Sequence, residues 1–80
     1  MRLDKFLKVA NIIKRRTVAN EVADNGRVLV NGKQAKPSYE VKVGDKIVIR
    51  FGNKIATFEV IHVPEKNVKN GTELIKVIDE

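Results

Sequence analysis

Val28-Leu29-Val30-Asn31-Gly32 does most to decide what this chain can fold into. Three apolar residues, two of them β-branched, run straight into Asn-Gly. That dipeptide is the strongest short hairpin signal, because a tight two-residue turn needs positive φ at both central positions. Lys33 to Ala35 then reads as the return strand. A lone two-stranded hairpin is marginal in water, so this one requires further strands or helices to cover it.

Upstream, Leu3, Phe6, Leu7 and Ala10 recur at helical spacing, with Asp4, Lys5, Lys8 and Asn11 on the other face. The pattern predicts an amphipathic helix over residues 2–11. Asp4 falls in its first turn, where a carboxylate is favoured, and can pair with Lys8 one turn later. Ile12 and Ile13 read as a buried connection. A second helix is predicted from Arg16 to Asn25, with Val18, Ala19, Val22 and Ala23 as its apolar stripe and Gly26 as its stop signal. Helices this short are marginal alone and must pack on something.

Downstream, Pro37-Ser38 marks a loop and Gly44-Asp45 a tight turn. Ile47, Ile49 and Phe51 alternate with Val48 and Arg50, as in a half-buried strand. A longer strand is expected from Ile55 to Val63, with Ala56, Phe58 and Val60 on one face. A polar loop from Pro64 to Asn70, a turn at Asn70-Gly71 and a last strand from Thr72 to Ile78 complete the reading. The predicted class is α+β, with two short N-terminal helices packed on a small, mainly antiparallel sheet. Residues 1–51 form a helix-helix-hairpin module and residues 52–80 a β extension of the same single domain.

Eighty residues suffice for one small domain. The absence of cysteine excludes disulfides and thiolate metal sites. No apolar run approaches the roughly 18 residues of a membrane span, and charges at Arg2, Asp4, Lys5 and Lys8 argue against a signal peptide. A soluble cytoplasmic protein is the expectation. No catalytic constellation is present. His62, the sole histidine, sits among apolar residues of a predicted strand, and no other ligands are spaced to help it hold a metal. The glycines mark turns, and none belongs to a phosphate-cradling motif. No enzyme, cofactor or metal is expected.

The cations are different, because they are concentrated. Residues 1–54 carry 13 Lys/Arg against 5 Asp/Glu, a net of +8, whereas residues 55–80 carry 3 against 5, a net of −2. Lys14-Arg15-Arg16 opens the second predicted helix, where the positive end of the helix dipole disfavours cations. A polyanion would supply the missing charge. Arg2, Lys5 and Lys8 follow one another at spacings of three along the first helix. Arg27 follows the second helix, and Lys33 and Lys36 border the hairpin. Arg2, Lys5, Lys8, Lys14, Arg15, Arg16, Arg27, Lys33 and Lys36 are therefore the candidate nucleic-acid-binding residues, with Arg2, Arg15 and Arg16 ranked above the lysines because a planar guanidinium suits phosphate. Lys42, Lys46 and Lys54 read as solvated surface. Phe6, Phe51 and Phe58 occupy apolar positions and read as core, which leaves Tyr39 alone as a base-stacking candidate. So little aromatic interleaving disfavours stacked single-strand binding. Phosphate and shape recognition of structured RNA fits better.

These motifs carry a resemblance. Arg2-Leu3-Asp4-Lys5-Phe6-Leu7, Lys14-Arg15-Arg16-Thr17 with Ala19, Gly26-Arg27-Val28, Val30-Asn31-Gly32 and Gly44-Asp45 together resemble the RNA-binding domain named after ribosomal small-subunit protein S-four. The whole chain is similar to the small stand-alone bacterial ribosome quality control factors related to the fifteen-kilodalton heat-shock protein. The resemblance implies a monomeric protein that binds obstructed large ribosomal subunits. It would contact ribosomal RNA and peptidyl-tRNA, and assist the partner RqcH in adding alanine tails to stalled chains. It places RNA-facing positions on Arg2 and Arg16, with Lys14 and Arg15 beside them. The chain departs from the family at Arg15, where many members have a capping serine. That exchange weakens the helix start by about 1 kcal/mol and adds a cation. Two other readings stand beside this one: an RNA-binding accessory factor for ribosome assembly or RNA modification, and a small DNA-binding nucleoid protein.

Overall fold

Both helices end in the same way, and their ends set the whole arrangement. In the computed structural model, which describes residues 1–64 and 73–78, α1 spans Leu3–Val9 and α2 spans Arg16–Asp24. After α1, Asn11 takes φ 60°, and the amides of Asn11 and Ile12 return to the carbonyls of Lys8 and Leu7 at 3.0 Å each. After α2, Gly26 takes φ 76°, and the amides of Gly26 and Arg27 return to Ala23 and Val22 at 3.0 and 3.2 Å. These are Schellman closures, which satisfy carbonyls that a helix end would otherwise orphan. The second one turns the chain directly into the sheet.

The strands are β1 (Val28–Val30), β2 (Lys33–Gln34), β3 (Lys46–Phe51), β4 (Lys54–Val60) and β5 (Ile75–Val77). They form one antiparallel sheet in the order β2-β1-β3-β4-β5. Asn31 and Gly32 turn β1 into β2 with φ 54° and 85°, as the primed hairpin turn requires. The α+β architecture matches the expectation.

Period-two alternation places Val28, Val30, Ile47, Ile49 and Val60 on one sheet face, where they are buried. Leu3, Phe6 and Leu7 of α1 and Ala19 and Ala23 of α2 cover them, each at most 3% exposed. The alanines let α2 lie close. Burial of each large side chain contributes about 1.5–3 kcal/mol, and truncating Phe6 to alanine would cost about 3–5 kcal/mol.

The loop between β2 and β3 fastens the start of α1. No side chain caps α1; instead the amides of Leu3 and Asp4 donate to the carbonyls of Tyr39 and Pro37 at 2.8 and 3.2 Å. Val41 donates to the Met1 carbonyl at 3.0 Å. Buried Asp45 holds the loop in turn, accepting from Asn31 Nδ2 (3.0 Å), Tyr39 OH (2.9 Å) and the Lys42 amide (2.9 Å).

Four expectations are corrected. Val18 is 41% exposed, because the close-packed stripe of α2 narrows to its alanines. Phe51 is also 41% exposed: it lies at the end of β3, beyond the cover of the helices. β4 stops at Val60, so exposed His62 lies outside any strand. Asp4 is buried rather than solvent-facing. The predicted Asn70-Gly71 turn and most of the predicted polar loop lie outside the described residues.

Candidate nucleic-acid interface

Asp4 organises the basic end of the molecule. Its carboxylate is 3% exposed and lies between the two helices. Oδ1 accepts the Lys5 amide at 2.8 Å, and Oδ2 accepts Asn20 Nδ2 of α2 at 3.1 Å. Arg2 approaches both oxygens, Nε to Oδ1 and Nη2 to Oδ2, each at 3.4 Å. Arg16 Nη2 stands 3.5 Å from Oδ1. The expected pairing of Asp4 with Lys8 is replaced by this set, because Asp4 turns toward α2 and Lys8 is exposed. Burial alone would push the Asp4 carboxyl up; the Asn20 hydrogen bond, the Lys5 amide and the charges of Arg16 and Arg2 outweigh it and hold the carboxyl below its ordinary 3.8.

The arrangement solves a specific problem. Two long cationic side chains on different elements would normally repel and wander. One buried carboxylate offsets half their charge and fixes one edge of each, leaving Arg2 and Arg16 with 48% and 46% of their side chains exposed. The outward N–H groups of each fork remain available to a phosphate.

Arg2, Lys5 and Arg16 line one open concavity of about 710 Å³, together with Met1, Glu40, Val63 and Pro64. The Met1 amino group binds Glu40 Oε2 at 3.0 Å, so the one acidic group there has a partner. Arg15 is the residue before α2, in extended geometry (φ −117°, ψ 131°) with no side-chain cap, and Lys14 precedes it; both are exposed. The predicted candidates do not all gather here. Lys8 and Lys36 are exposed but do not line this concavity. Arg27 lines a different one with Arg50, and Lys33 a third with Gln34 and Tyr39. Tyr39, the base-stacking candidate, is half-buried and its hydroxyl donates to Asp45, whose hydrogen bond raises the Tyr39 pKa, helped by burial and the Asp45 charge.

Sequence reasoning missed Asp4 and Asn20 as partners. One signal was present: Asn20 follows Arg16 by one helical turn and shares its face. Nothing in the sequence placed Asp4 opposite that face. Among the described residues no group of three His, Cys, Asp or Glu side chains could hold a metal ion, and no helix is long and apolar enough to cross a membrane.

The pattern that defines the S4 domain matches residues 1–47. The chain belongs to the S4-domain family. Membership makes it an RNA-binding factor, and the S4 helix pair is where the Arg2–Asp4–Arg16 set lies. The chain is 54% identical to the RQC P-site tRNA stabilizing factor of Listeria monocytogenes, a match covering all of this chain and 88% of that one. It is 55% identical to the protein of the same name from Bacillus subtilis, over 86% of this chain and 80% of that one. Among S4-domain proteins it is thus of the RqcP type, related to heat shock protein 15. A trimeric structure of Vibrio cholerae heat shock protein 15 superposes with a TM-score of 0.84 at 30% identity, over 98% of this chain and 81% of that one.

Proposed function

We propose that this chain is a non-catalytic, cytoplasmic factor that binds obstructed large ribosomal subunits. It contacts ribosomal RNA and peptidyl-tRNA there, and supports alanine tailing of the stalled chain by RqcH. The observation that carries the proposal is the convergence of Arg2 and Arg16 on buried Asp4, with both arginine side chains half exposed beside Lys5. Such a surface neutralises phosphates in fixed positions, which suits structured RNA. Lys14 and Arg15 extend it along the start of α2. The printed names of the Listeria and Bacillus relatives supply the choice of P-site tRNA as a ligand.

The test is co-sedimentation of the purified protein with large ribosomal subunits prepared with and without peptidyl-tRNA. The protein is expected to pellet with the loaded subunits in preference to the vacant ones. Equal binding to both would contradict the tRNA contact. Tighter binding to duplex DNA than to either particle would favour a nucleoid role. The proposed working form is a monomer; the trimer seen for the cholera relative is the alternative, and sedimentation velocity separates them.

A further inference from the structure

Elsewhere the sheet pairs its charges sensibly. On its helix-free face Glu59 of β4 stands between Lys46 of β3 and Lys76 of β5, opposite charges in cross-strand register. At the other end of the same face the rule is broken. The β1–β3 register, Val28 with Ile49 and Leu29 with Val48, continues to Arg27 opposite Arg50. The Arg50 amide donates to the Arg27 carbonyl at 2.9 Å, which locks the two residues side by side. Like charges directly opposite one another destabilise a sheet. β3 and the turn after it bring no counter-charge of their own, since the sequence has no acidic residue between Asp45 and Glu59. Among the described residues the ion pairs involve Met1, Arg2 and Arg16 but neither of these arginines.

Both arginines are exposed, and they line an open concavity of about 340 Å³ with Gly52, Asn53 and Ile55. Ile55, 64% exposed, is the cross-strand neighbour of Arg50. This surface is not part of the Arg2–Arg16 concavity, with which it shares no lining residue. Arg16 begins α2 and Arg27 follows its C-terminal closure, so the two stand at opposite ends of that helix.

The geometry points to a second RNA-backbone site, in which Arg27 and Arg50 together clasp a phosphate of an RNA segment distinct from the one held by Arg2 and Arg16. The inference rests on the RNA-binding reading above and extends it. The protein bridges two stretches of folded RNA, one at each end of α2. The exposed Ile55 offers an apolar surface to the sugar next to that phosphate.

The experiment measures the affinity of the full chain for large ribosomal subunits carrying peptidyl-tRNA, across a series of KCl concentrations. It compares wild type, the double variant Arg27→Gln/Arg50→Gln, and Arg16→Ala. The double variant is expected to bind about tenfold more weakly and to lose about 0.7–0.9 from the slope of log affinity against log salt, the share of one phosphate. Its melting temperature is expected to hold or rise, because a like-charge pair has been removed. Wild-type affinity and slope in the double variant, with Arg16→Ala weakened, would overturn the second site and leave the first reading standing. Wild-type behaviour in both variants would overturn both. A fall in melting temperature would mean that the two arginines are structural, and would also overturn the proposal.

Discussion

Asp4 Oδ1 lies 3.5 Å from Arg16 Nη2, so a buried carboxylate on α1 holds the first residue of α2 by its charge. The same carboxylate holds Arg2 and accepts Asn20 Nδ2. One acidic residue thus joins the two helices and aims two arginines outward. Position, rather than the amount of positive charge, is what this carboxylate contributes.

Asp4→Asn separates those two contributions. It raises the net charge by one, which on non-specific electrostatics alone would strengthen RNA binding. Loss of the ionic clamp frees Arg2 and Arg16 to wander, so affinity for ribosomal particles is expected to fall several-fold despite the added charge. Stability is expected to fall by about 1–2 kcal/mol, because charge-assisted hydrogen bonds are lost in a buried place. Titration binding and chemical denaturation of the same variant check both.

The pH dependence follows from the depressed Asp4 carboxyl. A group whose folded pKa lies below its unfolded value stabilises the fold fully above the unfolded value, near the ordinary 3.8. That stabilisation fades as pH falls through the folded value. The stability gap between wild type and Asp4→Asn is therefore expected to be constant from pH 7 to about 5 and to shrink below about 4. Denaturation of both proteins across that range measures it.

Asp45 acts at a distance from the arginines. It holds the loop whose Pro37 and Tyr39 carbonyls receive the first amides of α1. Asp45→Ala is expected to cost about 2–3 kcal/mol, since it leaves Asn31, Tyr39 and the Lys42 amide unsatisfied. Tyr39→Phe, which removes one of those bonds, is expected to cost about 1 kcal/mol. Hydrogen exchange at the Leu3 and Asp4 amides should quicken in both, more so in Asp45→Ala.

Arg15 occupies the cap position of α2 in the extended geometry that a serine cap adopts. Arg15→Ser is expected to stabilise the protein by about 0.5–1 kcal/mol. It should also weaken RNA binding and lower the salt slope by about 0.7–0.9. Thermal melts and salt-dependent binding on one sample read the two opposed effects.

How much of this was legible in the sequence depends on whether its cause is local. The hairpin at Asn31-Gly32 and the helix stop at Gly26 are set by backbone preference within a few residues, and both appear where the sequence puts them. The inward faces of α1 and β3 follow from periodicity. Phe51 was misread because alternation identifies a strand face but not where its cover ends. His62 was misread because an apolar run does not tell where pairing ceases. Asp4 was misread because its partners Arg16 and Asn20 lie in another helix, and only the packing of α1 on α2 shows that it faces inward. Likewise the basic residues were visible as a set, but their division between separate concavities depends on the fold.

The most direct measurement is the affinity of Arg16→Ala for large ribosomal subunits carrying peptidyl-tRNA, at fixed moderate salt, alongside its melting curve. Arg16 is half exposed and its ion pair with Asp4 contributes about 1 kcal/mol or less to stability, so the fold should survive with a melting temperature close to that of the wild type. Affinity reduced about tenfold or more, with the fold intact, is the predicted result. Undiminished affinity in a folded Arg16→Ala protein would contradict the assignment of the α1–α2 end as the RNA-binding surface.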